Sequence, residues 1–480
     1  MFATAPLFGR FHSPLKPAAR GLRAQPLHHL ESLLADRLDP ALLDPNPSHA
    51  NSRQRDYPPK LSFLAFLDQT LNPDTSCRSA VRQVQAYHQA QPRPRHLADD
   101  PSAYCQARAR WTLPELTAIR RHLAGRTACE PLNLGWGVLP PVKLVDGTCL
   151  TLPDTPKNRR AYPQAANQKS ECGFPLLRLV GVFSLASGSL LERADSPYAT
   201  SENALYQSLW PTFAAGDLIL GDRNFGSWGA LASLWAQQVE GLFHLHASRN
   251  VDFRRGKKLG PHDRLATWAK PRNQPATLTD EQWAALPATL TVRLVRFQAP
   301  TRQGGTKKIV LVTTLLDTLC WPVQRLAALY ARRWQIELYF GSLKTTLHMD
   351  MLSCRTPAMI RKELEMHLIA YNLIRSLQGE AAVVCHVPLA RLSFKGCLDT
   401  ANRYSQVIAQ LPVSHHKRRR SLYAHMLAVM AADQVPARPG RFEPRCRKRR
   451  PKPFPLMTQP RRVLQAARVD HIPNPKRRKA

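Results

Sequence analysis

The sequence predicts an α/β protein, with a helical block ahead of its sheet and a basic, proline-broken end behind it. Three observations carry that prediction. Between Pro140 and Ser248, short apolar runs of strand character alternate with segments of helical period. From Leu27 to about Leu123, apolar residues recur at spacings of three and four, beginning with Leu27, Leu30, Leu34 and Leu38. From Lys417 to Ala480 there are 19 Lys/Arg against 3 acidic residues, a composition too poor in apolar side chains to build a core.

The chain has 480 residues, enough for two to four domains and a large core. Its 68 Lys+Arg exceed its 34 Asp+Glu by 34 charges. So large a positive balance implies a polyanionic partner, of which nucleic acid is the commonest. The 10 cysteines stand as singletons without a CxxC pair, so reduced thiols of a cytosolic protein are expected rather than a zinc module. No apolar run is long enough to span a membrane. The opening MFATAPLFGRFHSPLKPAARGLR lacks the apolar centre of a secretory signal. Being basic and acid-poor, it suits a transit peptide or a DNA-brushing tail equally.

In chain order, residues 1–25 read as a basic disordered tail and 26–130 as a helical N-terminal DNA-binding domain. LSFLAFLDQTL and RSAVRQVQAYH continue the helical spacing. In WTLPELTAIRRHLAG, Thr112 is placed to cap, Pro114 falls in the first turn and Gly125 marks the stop. Arg120, Arg121 and His122 near its end suit either a helix-turn-helix-like DNA reader or a purely structural helix.

The period then changes. PVKLVDGTCLTL reads as a buried strand ending in Asp146, and FPLLRLVGVFSL and GSLLERAD as two strands around a Ser-Gly-Ser turn. SENALYQSLWPTF is helical, DLILGDRNFG a buried strand ending in Asp222, SWGALASLWAQQVEG a helix and LFHLHAS a strand. That order is the order of a ribonuclease-H-like α/β core, assigned to residues 131–380. Within it, 250–310 form a β-rich insertion, either a subdomain or an elaborated sheet edge. Helical patterning resumes at Pro322 and again in TPAMIRKELEMHLIAYNLIRSL. Residues 381–416 are read as a C-terminal helical region. Residues 417–480, with their KRRR, RCRKRRPKP and PKRRK clusters, read as a basic disordered arm against phosphates.

Two strand-end aspartates on adjacent strands bring carboxylates to one sheet edge, and a helix packed on the sheet can add a third. Three such groups bind Mg²⁺ or Mn²⁺ through hard oxygens. Two metals about 4 Å apart can activate an attacking oxygen and stabilise a leaving one. Asp154 and Asp217 lie nearby in sequence but read as turn residues. The helix is LYARRWQIELYFGSLKTTL. At 100° per residue, Tyr330, Arg333, Glu337 and Lys344 fall within roughly 60° of one face. Leu329, Ile336, Phe340 and Leu343 form the adjacent apolar stripe that docks it. Gly341, on the polar face, leaves room for a DNA backbone. The plain alternative is an amphipathic helix carrying an Arg–Glu pair.

The spacing Tyr-x2-Arg-x3-Glu-x6-Lys, met at Tyr330, Arg333, Glu337 and Lys344, resembles the signature of IS4-family transposases. These are bacterial insertion-sequence enzymes with a DDE catalytic triad. VDGTCLTLPDTPKN resembles the family's first-aspartate block and LILGDRNFGS its second; CRTPAMIRKELEMHLIAYNLIR and RCRKRRPKPFPLM resemble the segments that follow. The likeness covers about residues 130–455. It implies that Asp146, Asp222 and Glu337 are catalytic and hold Mg²⁺ or Mn²⁺. It also implies that Arg333 and Lys344 grip phosphate, and that Tyr330 contacts phosphate or orders the glutamate. Arg223 is a further phosphate contact, and Trp334 either stacks on an unpaired base or packs in the core. Relatives carry an aromatic in the β-rich insertion that receives a flipped base; Trp268 and Trp283 are the candidates here. The implied protein is a DNA transposase of the bacterial cytoplasm and nucleoid. It binds terminal inverted repeats and target DNA, acts as a homodimer on paired ends, and does not touch membrane. A nuclease without strand transfer and an inactive DNA-binding relic are the alternatives.

Overall fold

The computed structural model describes residues 27–34, 37–43, 56–73, 75–91, 93–132, 135, 137–249, 251–300, 305–412, 414–436 and 454–466. The expected tail 1–25, and residues 437–453 and 467–480 of the expected arm, lie outside these.

Among the described residues, five α-helices precede the sheet: α1 His28–Leu34, α2 Pro59–Leu71, α3 Cys77–Gln89, α4 Ser102–Arg110 and α5 Leu113–Gly125. Local chemistry fixes their ends. The Ser76 side chain accepts the Ser79 amide at the start of α3. At α5, Thr112 Oγ1 accepts the Glu115 amide at 3.4 Å, while Glu115 Oε2 accepts the Thr112 amide at 2.7 Å. Helix α2 buries Leu61, Phe63, Leu64, Phe66, Leu67 and Leu71 and so lies inside the body rather than on its surface.

These helices share their core with the chain's later ones: α12 Pro357–Val384, α13 Phe394–Gln410 and α14 His416–Ala432. Helix α12 packs on α5 and α2, and α13 on α1, so one apolar core runs from Leu27 to Met430. The boundary expected near 130 is therefore a change of pattern along the sequence and not a gap in the core. Likewise, the boundary expected at 380 falls inside α12.

One expectation is corrected here, and one choice left open is decided. The segment after 417 opens not as a disordered arm but as α14, with Met426, Leu427, Met430 and Ala431 buried on one face. Average composition hid that stripe, because the basic cluster occupies the first turns and the apolar residues the last. A short helix, α15 Arg461–Ala466, follows, and its Arg462 forks onto Glu171 at 3.1 and 3.2 Å. Second, Arg120 is not a surface reader. It is 1% exposed, donates to Glu365 at 3.0 Å and Glu192 at 3.2 Å, and also bonds the Leu191 carbonyl. Buried, it ties α5 to α12 and to the sheet.

The sheet has nine strands in the order β3-β2-β1-β4-β5-β9-β8-β7-β6. Strands β1 Val142–Thr151, β2 Leu176–Ser184 and β3 Leu190–Pro197 form an antiparallel meander. Strands β4 Leu218–Gly221 and β5 Glu240–His244 run parallel to β1. Between them lie α7 Glu202–Leu209 and α8 Trp228–Ala236. The expected order of strands and helices is present, with one addition. Where a turn was read after Asp154, Thr155 caps a short helix, α6 Pro156–Ala161.

The insertion does not stand apart from the sheet. Strands β6 Lys257–Gly260, β7 Asp263–Ala269, β8 Thr289–Pro300 and β9 Thr306–Thr313 extend it, with α9 Asp280–Ala285 between β7 and β8. Strand β9 pairs antiparallel with β5, from Leu242↔Thr313 to His244↔Leu311. The sheet-edge alternative is the one found. Among the described residues no helix is long and apolar enough to cross a membrane.

The signature segment is a continuous helical run of changing pitch. It comprises α10 Val323–Ala331, a 3-10 turn Arg332–Trp334, α11 Gln335–Gly341 and a π turn Ser342–Thr346. A single uniform helix had been expected.

Candidate active site

Register brings the two aspartates together. Strands β1 and β4 pair in parallel from Val142↔Leu218 to Val145↔Gly221. Asp146 and Asp222 are the next residue on each strand. Asp146 is therefore not at a strand end: β1 continues to Thr151 on its other neighbour, with Asp146 opposite Gly181. What ends at Asp146 is the pairing with β4, and at the opened edge the negative charge of Asp222 acts on the Asp146 carboxyl. Asp146 Oδ1 accepts the Gly147 amide at 2.8 Å, and Asp222 Oδ1 the Asn224 amide at 2.8 Å. Burial pushes the Asp146 carboxyl up to about 6; the negative charges of Asp222 and Glu202 add to this, and the Gly147 amide and Arg333 oppose it.

Packing presents the third carboxylate. Leu329, Ile336, Phe340 and Leu343 are buried as a stripe. Phe340 meets Phe183 of β2 edge-on at 5.2 Å, and Tyr339 lies 5.5 Å from the same ring. With that flank fixed, the Arg333 guanidinium sits between two acids. One nitrogen is 3.6 Å from Asp146 Oδ2 and another is 3.6 Å from Glu337 Oε1. Burial raises the Tyr330 phenol above its ordinary value, and the charge of nearby Arg333 opposes this. The Tyr330 ring stacks on His244 at 6.4 Å and 28°.

Lys344 belongs to the π turn, closed by the Leu347 amide on the Ser342 carbonyl at 3.0 Å. Its ammonium reaches across to β1, 3.2 Å from both Thr148 Oγ1 and the Cys149 carbonyl. Gly341 faces open space, with nothing within 4 Å of where a Cβ would stand.

Two neighbours went unread in the sequence. Glu202, the first residue of α7, lies over Gly147 so closely that a Cβ there would be 2.7 Å from its carboxylate. His244 ends β5; burial lowers its imidazole pKa, with Arg223 the next cause. Neither residue sits in a spacing motif, and only the tertiary fold brings them near the aspartates.

Arg223 is exposed and lines a cavity of about 520 Å³ with Glu202, Asn224, Ser227 and Arg249. On the far flank of α11, Glu337 opens onto a second cavity of about 720 Å³ that also touches Arg332, Arg375 and Lys395. Trp334 is 37% exposed. In the insertion, Arg249 lies 4.1 Å over the Trp268 ring. Trp283 carries Lys270 at 4.8 Å and meets Trp228 edge-on at 5.6 Å. Asp217 is buried against Lys143 and the Ala214 amide, and Asp154 pairs with Arg159 at 3.3 Å. Neither joins the site.

Carboxylates are hard oxygen donors, and like charges gathered at a half-buried edge require a cation among them. Arg333 supplies one. Among the described residues no three acidic, histidine or cysteine side chains close in tightly enough to enclose an ion, since the guanidinium stands between Asp146 and Glu337. In chemical type the donor set fits Mg²⁺ or Mn²⁺. In this arrangement it holds the arginine.

Residues 138–373 match the family model described as the transposase DDE domain. That span contains both aspartates and the whole signature run. The chain is 27% identical over 331 residues to the transposase InsG for insertion sequence element IS4 of Escherichia coli (strain K12). The alignment covers 67% of this chain and 70% of that protein. Over 152 residues it is 32% identical to the putative transposase InsZ of the same organism, covering 31% of this chain and 50% of that one. A piggyBac transposase, solved by cryo-EM as a synaptic complex with hairpin DNA, aligns at a TM-score of 0.41 and 9% identity, covering 84% of this chain and 85% of that chain.

Proposed function

The chain belongs to the IS4 family of DDE transposases, and from that premise we propose that it binds the terminal inverted repeats of an insertion sequence, cleaves the element ends and joins the freed 3′-OH to target DNA. The single observation that carries this reading is Arg333 standing 3.6 Å from both Asp146 and Glu337, at the edge where β1 parts from β4 and where the charge of Asp222 acts on Asp146. The strand order β3-β2-β1-β4-β5 supports a ribonuclease-H-like core.

In the proposed mechanism Asp146, Asp222 and Glu337 would hold Mg²⁺ or Mn²⁺, which would supply activation of the attacking oxygen and charge stabilisation of the leaving one. The chain's own groups do the rest. A bound phosphate takes over the Arg333 guanidinium, freeing both carboxylates. Tyr330, close to Arg333 and held by its stack on His244, steers that movement. Lys344 leaves Thr148 for a backbone phosphate, and exposed Arg223 grips the strand at the cavity mouth. Open space over Gly341 admits the sugar-phosphate chain. Trp334, partly exposed, offers a face to an unpaired base. Trp268 can receive a flipped base once Arg249 swings away. Two copies act on paired ends in the cytoplasm, with the basic arm beyond 436 on flanking DNA.

The deciding experiment incubates purified protein and Mg²⁺ with supercoiled plasmid carrying the element's ends. Excised element and joined product are expected. Cleavage without joining would mean a nuclease, and binding without cleavage in Mg²⁺ or Mn²⁺ an inactive relic. Asp146→Ala, Asp222→Ala and Glu337→Ala should each abolish cleavage while leaving end binding in place.

A further inference from the structure

Away from this site, two thiols that the DNA chemistry does not use share one cation. Cys77 is the first residue of α3 and Cys105 lies in α4, which packs against it. Arg108 Nη2 stands 3.5 Å from Cys77 Sγ and 3.8 Å from Cys105 Sγ. One guanidinium nitrogen thus holds the two sulfurs as neighbours, and Gln69 Nε2 lies 3.9 Å from Cys77 Sγ. Arg108 is itself fixed, stacked over Phe66 at 4.8 Å and Tyr104 at 4.9 Å, and donating to Gln69 Oε1 at 3.1 Å. Both sulfurs belong to half-buried residues.

We propose that Cys77 and Cys105 form a redox-active dithiol that a peroxide converts to a disulfide, Cys77 attacking and Cys105 resolving. This assignment does not depend on the DNA chemistry. Cys77 takes the attacking role on three grounds. It heads a 13-residue helix, whose N-terminus favours an anion. It accepts from the Gln69 amide as well as from Arg108, and it is nearer the guanidinium. The neighbouring Cys105 is the largest cause of its lowered pKa, with Arg108 helping against burial; Cys77 in turn raises Cys105.

The thiolate sulfur of Cys77 attacks one peroxide oxygen. The O–O bond breaks, an S–O bond forms, and the other oxygen leaves as hydroxide and takes up a proton. Sulfur is oxidised to sulfenic acid and the peroxide is reduced. Cys105 then gives up its proton and attacks that sulfur. The S–O bond breaks, water leaves and the S–S bond forms. The product staples α3 to α4.

The test uses full-length protein, reduced, freed of reductant and treated with one equivalent of hydrogen peroxide. Peptides are mapped without reductant. A Cys77–Cys105 linked pair, lighter by two hydrogens and reversed by dithiothreitol, is expected. In Cys105→Ser, dimedone should label Cys77. A second measurement needs no variant: in the native protein at neutral pH, iodoacetamide should alkylate Cys77 about tenfold faster than exposed Cys129. Equal alkylation rates, first oxidation at Cys129 or Cys320, or any pairing of Cys77 other than with Cys105 would overturn the proposal.

Discussion

Arg333 and Asp146 face each other across the sheet edge, a guanidinium nitrogen 3.6 Å from Oδ2, and the same side chain is equally close to Glu337. In the proposed reaction, this monovalent cation occupies the space a divalent ion would need. Binding metal requires displacing the arginine or adding charge beside it, and either costs electrostatic energy. Removing the guanidinium should therefore tighten metal binding while weakening the grip on phosphate. For Arg333→Gln we expect Mn²⁺ affinity, read by electron paramagnetic resonance of the free ion, to rise about tenfold, roughly 1.4 kcal/mol. End cleavage should fall. An affinity at or below that of the native protein would show that the arginine is not in competition with metal.

The Asp146 carboxyl supplies a pH prediction. Burial is the first cause of its rise to about 6, above the ordinary 3.8. Because the folded-state pKa is the higher one, its stabilising contribution is complete below pH 4 and is lost as pH rises through 6. In metal-free protein, Asp146→Asn should be more stable than native by on the order of 2–3 kcal/mol at pH 7 and nearly equal to it at pH 4. Thermal melts of the two proteins across that range give the difference. Saturating Mg²⁺ should shrink it at pH 7, since the ion replaces the missing counter-charge.

Glu202 gives a related test of what surrounds that carboxyl. Its charge contributes to the raised Asp146 value, and it lies over Gly147. Glu202→Gln should lower the Asp146 pKa, followed by carboxyl carbon NMR of the metal-free protein. An unchanged or raised value would rule out the direct influence.

How far the sequence revealed all this varies with the physical range of each signal. Strand and helix order came through because apolar period is local, and the N-cap at Thr112 was visible from sequence alone. Asp146 and Asp222 were legible as residues following apolar runs. Their meeting depended on the β1–β4 register, which no single segment encodes. Tyr330, Arg333, Glu337 and Lys344 were found by helical phase. The 3-10 and π turns that redirect Lys344 onto Thr148 are set by packing on β2 and β1, and the phase count cannot contain them. Helix α14 was missed because windowed charge swamped four apolar residues, and Arg120 stayed open between DNA reader and structural helix because its partners Glu192 and Glu365 lie far along the chain.

That buried arginine distinguishes scaffold from DNA reader. Arg120 joins Glu365 and Glu192 with almost no exposure, whereas neighbouring Arg121 has a side chain 57% exposed and meets Glu192 at 2.6 Å. Removing one partner of a buried ion network strands the other charges. Arg120→Ala should cost about 3–5 kcal/mol in denaturant unfolding. Arg121→Ala should cost less than about 1 kcal/mol. If Arg120→Ala left stability intact and altered only DNA affinity, the structural role would be wrong.

The basic face of α14 closes the account of how the chain meets nucleic acid. Lys417, Arg418 and Arg420 are exposed in its first turns, while Arg419 donates to the Leu411 carbonyl at 3.0 Å. The buried Met426, Leu427 and Met430 hold this helix on the body. Its cations are thus presented from a fixed surface. Each phosphate neutralised releases counterions and contributes about −0.9 to the slope of log affinity against log salt. If all three side chains sit on phosphate, Lys417→Gln, Arg418→Gln and Arg420→Gln together should flatten that slope by about 2–3 on a duplex of fixed length. The melting temperature should stay the same, because none of the three is packed. Arg419→Gln should do the reverse, lowering the melting temperature and barely moving the slope. An unchanged slope in the triple variant would remove α14 from the DNA-binding surface and leave the charge on this helix as solubilising alone.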